Sequence, residues 1–434
     1  MGVLSGPIRR VACAISGGVD SAVSAYLLKR KGMHFFSKCH QGFDVVGVFM
    51  TNWDQRDETI KCSIDADRED AQFVCRKLGI EFVELNFVKE YWNDVFITID
   101  SYAEGKTPNP DILCNRYVKF QKLTEYALKC SPKCHPSINA DALATGHYAQ
   151  NSYGNFLENR AILSSPPKLL RSVDPVKDQT FWLCNVTWKH LQYCMFPVGN
   201  LLKSRVKEIA ASVGLERIAK RKESMGICFI GKRNFCDFID EYLEPRRGLI
   251  IELETGNVFG EHSAFAHEGV HHFTMGQKIP GVTLGREPFY IAKLDSRTQE
   301  IFISKNKLIM SSKVQGASHP SLYMQECWTE PPFWIAEESP SLPSMGYEFQ
   351  WQNKWRPMPC SIQISHNFKP GLFIRLQQPM RCITAGQCAA FYKGNICLGG
   401  AINCTTTFAF VVGFGQMKMV DIKVGKSYFP SYSL

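Results

Sequence analysis

Val11-Ala12-Cys13-Ala14-Ile15-Ser16-Gly17-Gly18-Val19-Asp20-Ser21 is the stretch on which the fold of this chain turns. Val11 to Ile15 form an uninterrupted apolar run, the length of a buried strand, and the glycines end it. Beyond them Val19, Ala22, Val23, Tyr26 and Leu27 recur at helical spacing. That helix closes on Lys29-Arg30-Lys31-Gly32, a basic last turn followed by a glycine stop. A strand that turns through Ser-Gly-Gly into a helix offers backbone N–H groups and a helix N-terminus to an anion. Ser16 and Ser21 would add hydroxyl donors. No Gly-Lys-Ser/Thr follows, so this is not the loop that grips β and γ phosphates. An ordinary glycine-rich turn is the plain alternative.

The alternation continues outward. Residues 43–50 read as a buried strand. Ala71, Val74, Cys75 and Leu78 make an amphipathic stripe closed by Gly79, and residues 80–85 form another strand. Two helices are expected around 91–102 and 117–128. A buried strand at 140–145 then runs into Gly146-His147-Tyr148. Strands separated by helices imply parallel βαβ units, hence an α/β doubly wound parallel sheet with ligands at the carboxyl ends of its strands. From residue 289 the runs are short and β-rich (289–294, 300–303, 360–364, 372–376, 388–392, 408–412), which suggests an antiparallel barrel or sandwich. The expected division is a catalytic domain at 1–217, a small central domain at 218–288 and a C-terminal β-barrel-like domain at 289–434. Residues 35–41 read as an inserted turn and 338–344 as a surface loop.

Four hundred and thirty-four residues are too many for one ordinary core. With 45% hydrophobic and 21% charged residues the composition excludes collagen-like, coiled-coil and wholly disordered chains. No run approaches the ~18–20 apolar residues that span a bilayer, so no membrane partner is expected. Fifty Lys and Arg against 41 Asp and Glu leave +9, an excess compatible with an anionic partner and equally with solubility alone. Seventeen cysteines stand without a single Cys-x-x-Cys pair, which speaks against zinc ribbons and a disulfide framework. The expectation is a reducing compartment and mostly inert thiols.

Two cysteines have a context of their own. In Thr107-Pro108-Asn109-Pro110-Asp111-Ile112-Leu113-Cys114-Asn115 the prolines confine the approach and a helix starts near Asp111, so Asp111 and Cys114 share one face of its first turn. A thiol nucleophile beside an acid/base is one reading; a helix cap with a buried cysteine is the other. Cys228 lies in Ser224-Met225-Gly226-Ile227-Cys228-Phe229-Ile230-Gly231, downstream of Lys220-Arg221-Lys222. It is either a stabilised thiolate on a loop or a cysteine in an apolar strand.

The Ser16–Ser21 hexapeptide resembles the pyrophosphate loop of ATP pyrophosphatases, which adenylate a carbonyl oxygen and release pyrophosphate. With Asn109 to Asn115, Gly146-His147-Tyr148 and Ser224 to Gly231 it closely resembles the tRNA-specific 2-thiouridylase family. Phe49-Met50-Thr51-Asn52-Trp53, Lys177-Asp178-Gln179 and Thr384-Ala385-Gly386-Gln387 extend the likeness to residues 10–400. Lys89-Glu90-Tyr91-Trp92-Asn93-Asp94-Val95-Phe96 and the segment 221–235 look most like the mitochondrial branch.

The resemblance implies a tRNA-uridine 2-sulfurtransferase on an ATP-pyrophosphatase domain. ATP would meet Ala14, Ile15, Ser16, Gly17, Gly18, Val19, Asp20, Ser21, Met50 and Gly146. Asn109, Pro110 and Asp111 would meet the flipped base, and His147, Lys177, Asp178, Gln179 and Gln387 the tRNA. Cys114 would be the nucleophile or resolving thiol, Cys228 the persulfide carrier ending disulfide-linked to it, and Asp111 the proton carrier. ATP and Mg²⁺ are implied as co-substrate and cofactor, with persulfide sulfur. An iron–sulfur cluster on Cys114, Asp111 and Cys228 is a minority reading. The implied partners are lysine, glutamate and glutamine tRNAs and a cysteine desulfurase or sulfur-relay protein. The implied location is the mitochondrial matrix, or the cytoplasm if the first residues are not a targeting segment.

One departure concerns the C-terminal domain: where the family often has Arg-x-Arg, this chain has Gln350-Trp351-Gln352, with Lys354 and Arg356 just beyond. His262 and His271-His272 have no cysteine or carboxylate at ligand spacing, so they read as ordinary histidines and no metal site is expected. Two rivals stand beside thiolation: another adenylating synthetase, with no need of the thiols, and a silent tRNA-binding protein.

Overall fold

The computed structural model describes residues 7–31, 42–53, 64–221, 233–259, 267–284, 287–305, 320–365, 370–412 and 416–419. The segment 35–41, His262, and Ser224 to Gly231 with Cys228 lie outside the described residues.

Strand β1 (Arg10–Ala14) turns at Ile15–Gly18 into helix α1 (Val19–Arg30), as the opening motif requires. It pairs in parallel with β2 (Asp44–Thr51), which pairs with β3 (Glu81–Asn86) after helix α2 (Ile64–Leu78). The chain then returns to the other side of β1, where β4 (Ala142–Ala144) pairs in parallel, followed by Cys194–Met195. Val11, Ala12, Cys13, Val46, Val48 and Leu143 are fully buried, because helices cover both faces of the sheet. The reversal of strand order between β1 and β4 opens a crevice at their carboxyl ends, and that is where ligands of such sheets sit.

A second sheet contains Ile250–Glu252, Val258–Phe259, Lys278–Leu284, Glu287–Asp295 and Glu300–Lys305. The β-rich runs at 289–294 and 300–303 were expected in the C-terminal barrel. Their hydrogen bonds instead join them to each other and to Ile250–Glu252 in this second sheet.

The third unit is a barrel closed through Tyr323–Thr329, Gly371–Arg381, Met358–Ser365, Ser344–Gln350, Cys388–Lys393 and Ile396–Val412, whose last strand pairs back onto the first. Closure removes its free edges. Phe349, Ile362, Ile374 and Phe391 fill its interior. The barrel is also welded to the first unit, since Ile396 and Cys397 pair with Leu170 and Leu169.

Candidate functional site

The crevice is built by two glycine approaches. Gly17 has φ +77°, and a side chain there would run into the Asp67 carbonyl oxygen of α2, 2.5 Å from its Cβ. Gly146, just after β4, packs so closely on α1 that a Cβ would lie 2.6 Å from the Ser21 nitrogen. Ser21 does not project as a free donor. Its hydroxyl donates to the Gly18 carbonyl (3.0 Å) and accepts from the Ser16 N–H (3.2 Å), so it braces the turn from within. The sequence reading gave Ser21 to the anion; the packing gives it to the loop.

Asp20 shows what sequence reasoning missed. Its carboxylate accepts from Lys203 Nζ (2.7 Å) and from the Tyr148 hydroxyl (2.9 Å), partners 183 and 128 residues away. Lys203 starts the helix Lys203–Ser212, and no local motif marks it. It brings a cation to the anion loop, where a phosphate would need one.

Asn109, Pro110, Asp111 and Cys114 come together as the reading of that segment implies. Asn109 caps the helix Pro110–Leu113, its side chain accepting from the Ile112 N–H at 3.4 Å, with Pro110 in the first turn. Cys114 then begins a π-helical stretch, Cys114–Lys122, a wide turn that recurs at functional sites. The Cys114 side chain is buried, 2% exposed. Burial holds the Asp111 carboxyl above the usual carboxylate range, with Lys119 opposing. Burial, and then the Asp111 charge, push the neighbouring Tyr102 hydroxyl up to about 12.

His147 joins this helix to the glycine loop. It follows Gly146, its ring lies 5.6 Å from that of Phe120, and its Nδ1 stands 2.9 Å from Thr145 Oγ1. Burial, reinforced by Lys119, lowers its pKa to about 3, so it is a neutral imidazole at physiological pH. Met50, at the end of β2, packs on the core beneath the same crevice.

The barrel reaches into this site. Gln387 Nε2 donates to the Thr107 carbonyl (2.9 Å), while its Oε1 accepts from Asn109 Nδ2 (3.4 Å). The Thr107 N–H donates to the Ala385 carbonyl at 2.9 Å. Gln387 therefore holds the loop that caps the Cys114 helix. Asp178 is buried and accepts from Arg171, the Ser172 N–H and the Thr180 hydroxyl, so its carboxylate organises its own loop. Gln179 accepts from the Tyr148 N–H at 2.9 Å.

Gln350 is also turned inward, accepting from Arg171 (3.4 Å) and donating to the carbonyls of Gln352, Asn353 and Trp355. Exposed Lys354, Trp355 and Arg356 ride on the turn it caps.

Both flanks of the segment carrying Cys228 are pinned to this region. Arg221 pairs with Asp67 and Asp70 of α2, and Asp67 is the residue whose carbonyl faces Gly17. On the far flank Phe235 packs its ring 5.2 Å from that of Tyr102.

Residues 9–232 match the family model described as tRNA methyl transferase HUP domain. Residues 236–305 match the tRNA methyl transferase PRC-barrel domain, and 324–402 the aminomethyltransferase beta-barrel domain. The chain is 41% identical over 399 residues to mitochondrial tRNA-specific 2-thiouridylase 1 of Drosophila melanogaster, covering 91% of this chain and 93% of the relative. To the protein of the same name in Homo sapiens it is 39% identical over 433 residues, covering 95% and 94%. The chain belongs to the tRNA-specific 2-thiouridylase family. Its three matched regions follow the three units seen in the structure. Among the described residues no helix is long and apolar enough to cross a membrane. Of the fourteen described cysteines of this 2-thiouridylase family member, ten are buried. Burial raises most of the buried ones, Cys75 to about 12 and Cys382 to about 11, far from a reactive thiolate.

Asp111 makes a prediction about stability. A carboxyl raised by burial favours folding below its unfolded pKa of about 3.9, and that contribution is lost as pH rises through the folded value. Asp111→Asn is therefore expected to melt higher than the parent at pH 7, by on the order of 1 °C, with the gap closing below about pH 4. Thermal melts across that range decide it; a lower melting point at pH 7 contradicts the assignment.

Proposed function

We propose that this chain is a tRNA-uridine 2-sulfurtransferase that adenylates the C2 oxygen of a wobble uridine and replaces it with sulfur. The observation that carries the proposal is the meeting, at one strand-order reversal, of an anion loop and a thiol–carboxyl helix, tied to each other by His147. The relatives' names point the same way. The family model's description speaks of a methyl transferase, but a helix-borne thiol three residues from a buried carboxyl suits sulfur chemistry.

The C2 carbonyl of uracil is a poor electrophile, so its oxygen must first become a leaving group. Residues Ala14 to Ser21 would cradle the ATP phosphates, with Met50 and Gly146 beside the adenosine and Lys203 supplying positive charge. Asp20, an oxygen donor at that loop, suits Mg²⁺ arriving with the nucleotide; when bound, the ion neutralises charge on the departing pyrophosphate. Asn109, Pro110 and Asp111 would receive the flipped base, whose unstacking costs a few kcal/mol and is cheapest in a loop. A Cys228 persulfide would then deliver sulfur to C2 as AMP leaves. Cys114 would either attack the Cys228 sulfur of the resulting C2–S–S–Cys228 adduct, breaking the S–S bond so that the outer sulfur stays on C2, or attack the persulfide first and release hydrosulfide as the group that attacks C2. Both leave a Cys114–Cys228 disulfide for reduction, and Asp111 would move the proton. Burial holds the Asp111 carboxyl above the usual carboxylate range, a direction that suits a group exchanging a proton. His147, Lys177, Gln179, Gln387 and the exposed turn with Lys354, Trp355 and Arg356 would guide the tRNA. Lysine, glutamate and glutamine tRNAs, a desulfurase or relay protein as sulfur donor, and the mitochondrial matrix complete the reading.

The test is direct: unmodified tRNA, ATP, Mg²⁺ and a cysteine desulfurase, with thiolated uridine as the readout. Pyrophosphate release that depends on a small amide acceptor instead of tRNA would favour an amide-forming synthetase. Binding of tRNA without ATP turnover would leave a silent binding protein. If the +9 excess serves phosphate contacts, tRNA affinity is expected to fall on the order of 10²–10³-fold between about 50 and 200 mM salt. A flat response would assign that charge to solubility.

A further inference from the structure

Asp240, His271 and His272 meet away from the crevice, between the short helix Phe235–Ile239 and the second sheet. Local spacing concealed this, because the carboxylate comes from 31 and 32 residues upstream of the histidines. Nε2 of His271 lies 3.0 Å and Nε2 of His272 2.6 Å from the same Asp240 oxygen. All three ligand atoms are within 4.8 Å of one another. His271 is 4% exposed, and a Cβ on Gly269 would stand 2.2 Å from its ring, so that glycine is what lets the imidazole fold back over the turn. The same histidine lines a cavity of about 230 Å³ with Ala103, Glu244, Arg246 and Gln299.

We propose that Asp240, His271 and His272 form a site for a divalent transition-metal ion, zinc above all, which fastens the helix Phe235–Ile239 to the second unit. Two imidazoles and one carboxylate select borderline cations: magnesium and calcium prefer oxygen alone, and softer ions prefer thiolates. Ligand atoms at ~2.0–2.1 Å from a tetrahedral zinc stand about 3.3 Å apart, so the two Asp240–imidazole separations of 3.0 and 2.6 Å need to open by less than about 1 Å. A hydrogen-bonded carboxylate needs only one imidazole. Here both rings aim their Nε2 at one point, the same Asp240 oxygen, and the ion would sit among the three atoms. The cavity beside His271 leaves room for water to complete the coordination.

The helix so fastened starts a few residues after the segment that holds Cys228, and its Phe235 rests on Tyr102 beside Asp111. The ion would thereby fix the downstream anchor of the Cys228 segment. Only this consequence rests on the thiolation reading; binding does not.

Chelator-stripped full-length protein carrying Cys114→Ser and Cys228→Ser, which removes the candidate catalytic thiols as ligands, is titrated with Zn²⁺ against a chromophoric chelator and with Co²⁺ by visible spectroscopy. One equivalent is expected, with Co²⁺ bands free of thiolate charge transfer and a rise in melting temperature on adding Zn²⁺. Asp240→Asn and His272→Gln, each checked for a cooperative melt, are expected to weaken binding by ~100-fold or more, since even partners of a ligand are worth 10–100-fold. His272 is partly exposed, so its variant tests the site should the Asp240 change unfold the chain. Absence of a stoichiometric ion, or an equivalent untouched by both variants, overturns the proposal, as does binding that disappears with the two thiols.

Discussion

Cys114→Ser and Cys228→Ser are each expected to lower thiolated-uridine formation by more than ~10³-fold, the scale on which loss of a covalent nucleophile is felt. The same variants should still release pyrophosphate in a tRNA-dependent burst, because in the proposed sequence adenylation would precede sulfur transfer and would use the glycine loop. That split is the informative part. A variant that merely unfolded would lose both activities, and burying a serine hydroxyl at the 2%-exposed Cys114 position costs about 1–3 kcal/mol, so melts accompany the assay. Cys130→Ser, a half-buried thiol on a surface turn, serves as the control and should thiolate like the parent. Parent-level thiolation by either serine variant of the proposed pair would refute the sulfur relay. Loss of burst and thiolation together, in a folded protein, would move the thiol into the adenylation step.

Gly146→Ala carries the second large effect. Its new Cβ would stand 2.6 Å from the Ser21 nitrogen and 2.8 Å from the Asp20 carbonyl carbon. Both are backbone atoms and cannot swing aside as a flexible side chain would. Either the turn after β4 or the start of α1 must shift, and the loop N–H groups proposed to meet the phosphates would shift with it. A misplacement approaching 1 Å costs on the order of 10²-fold in rate, so ATP-dependent pyrophosphate release should fall by about that factor. Gly394→Ala is the comparison. It replaces a glycine whose φ is +59°, but nothing lies within 4 Å of the added carbon, so it should affect stability and not kinetics. Unchanged kinetic constants for ATP in Gly146→Ala would show that the loop does not hold the nucleotide.

Much of the site was legible because its chemistry is written in short local strings. Ser16 to Ser21 and Asn109 to Cys114 are each read by one turn of chain, and the helical and strand periods around them gave the parallel sheet. What escaped was contributed from a distance. Lys203 sits in an unremarkable amphipathic helix, and only the packing of that helix on α1 brings its ammonium to Asp20. Gln387 was read as an RNA contact, yet its amide spans Thr107 and Asn109 because the barrel docks against that loop. Asp178 was read the same way and is an internal acceptor, since buried carboxylates persist only when their oxygens find donors. The runs at 289–294 and 300–303 looked like barrel strands because a β pattern specifies a strand but not its partner; register chose the second sheet.

By itself, then, the sequence determined the elements, the anion loop, and the pairing of a thiol with a carboxyl on one helical turn. These depend on residues within a few positions of one another, where backbone geometry leaves few choices. The tertiary structure alone decided which charges answer which: Lys203 to Asp20, Arg221 to Asp67 and Asp70, and Asp240 to His271 and His272. Those pairings join residues 31 to 183 positions apart. Such contacts are set by how the helices and sheets pack, a choice made by burying their apolar faces, and no local spacing encodes it.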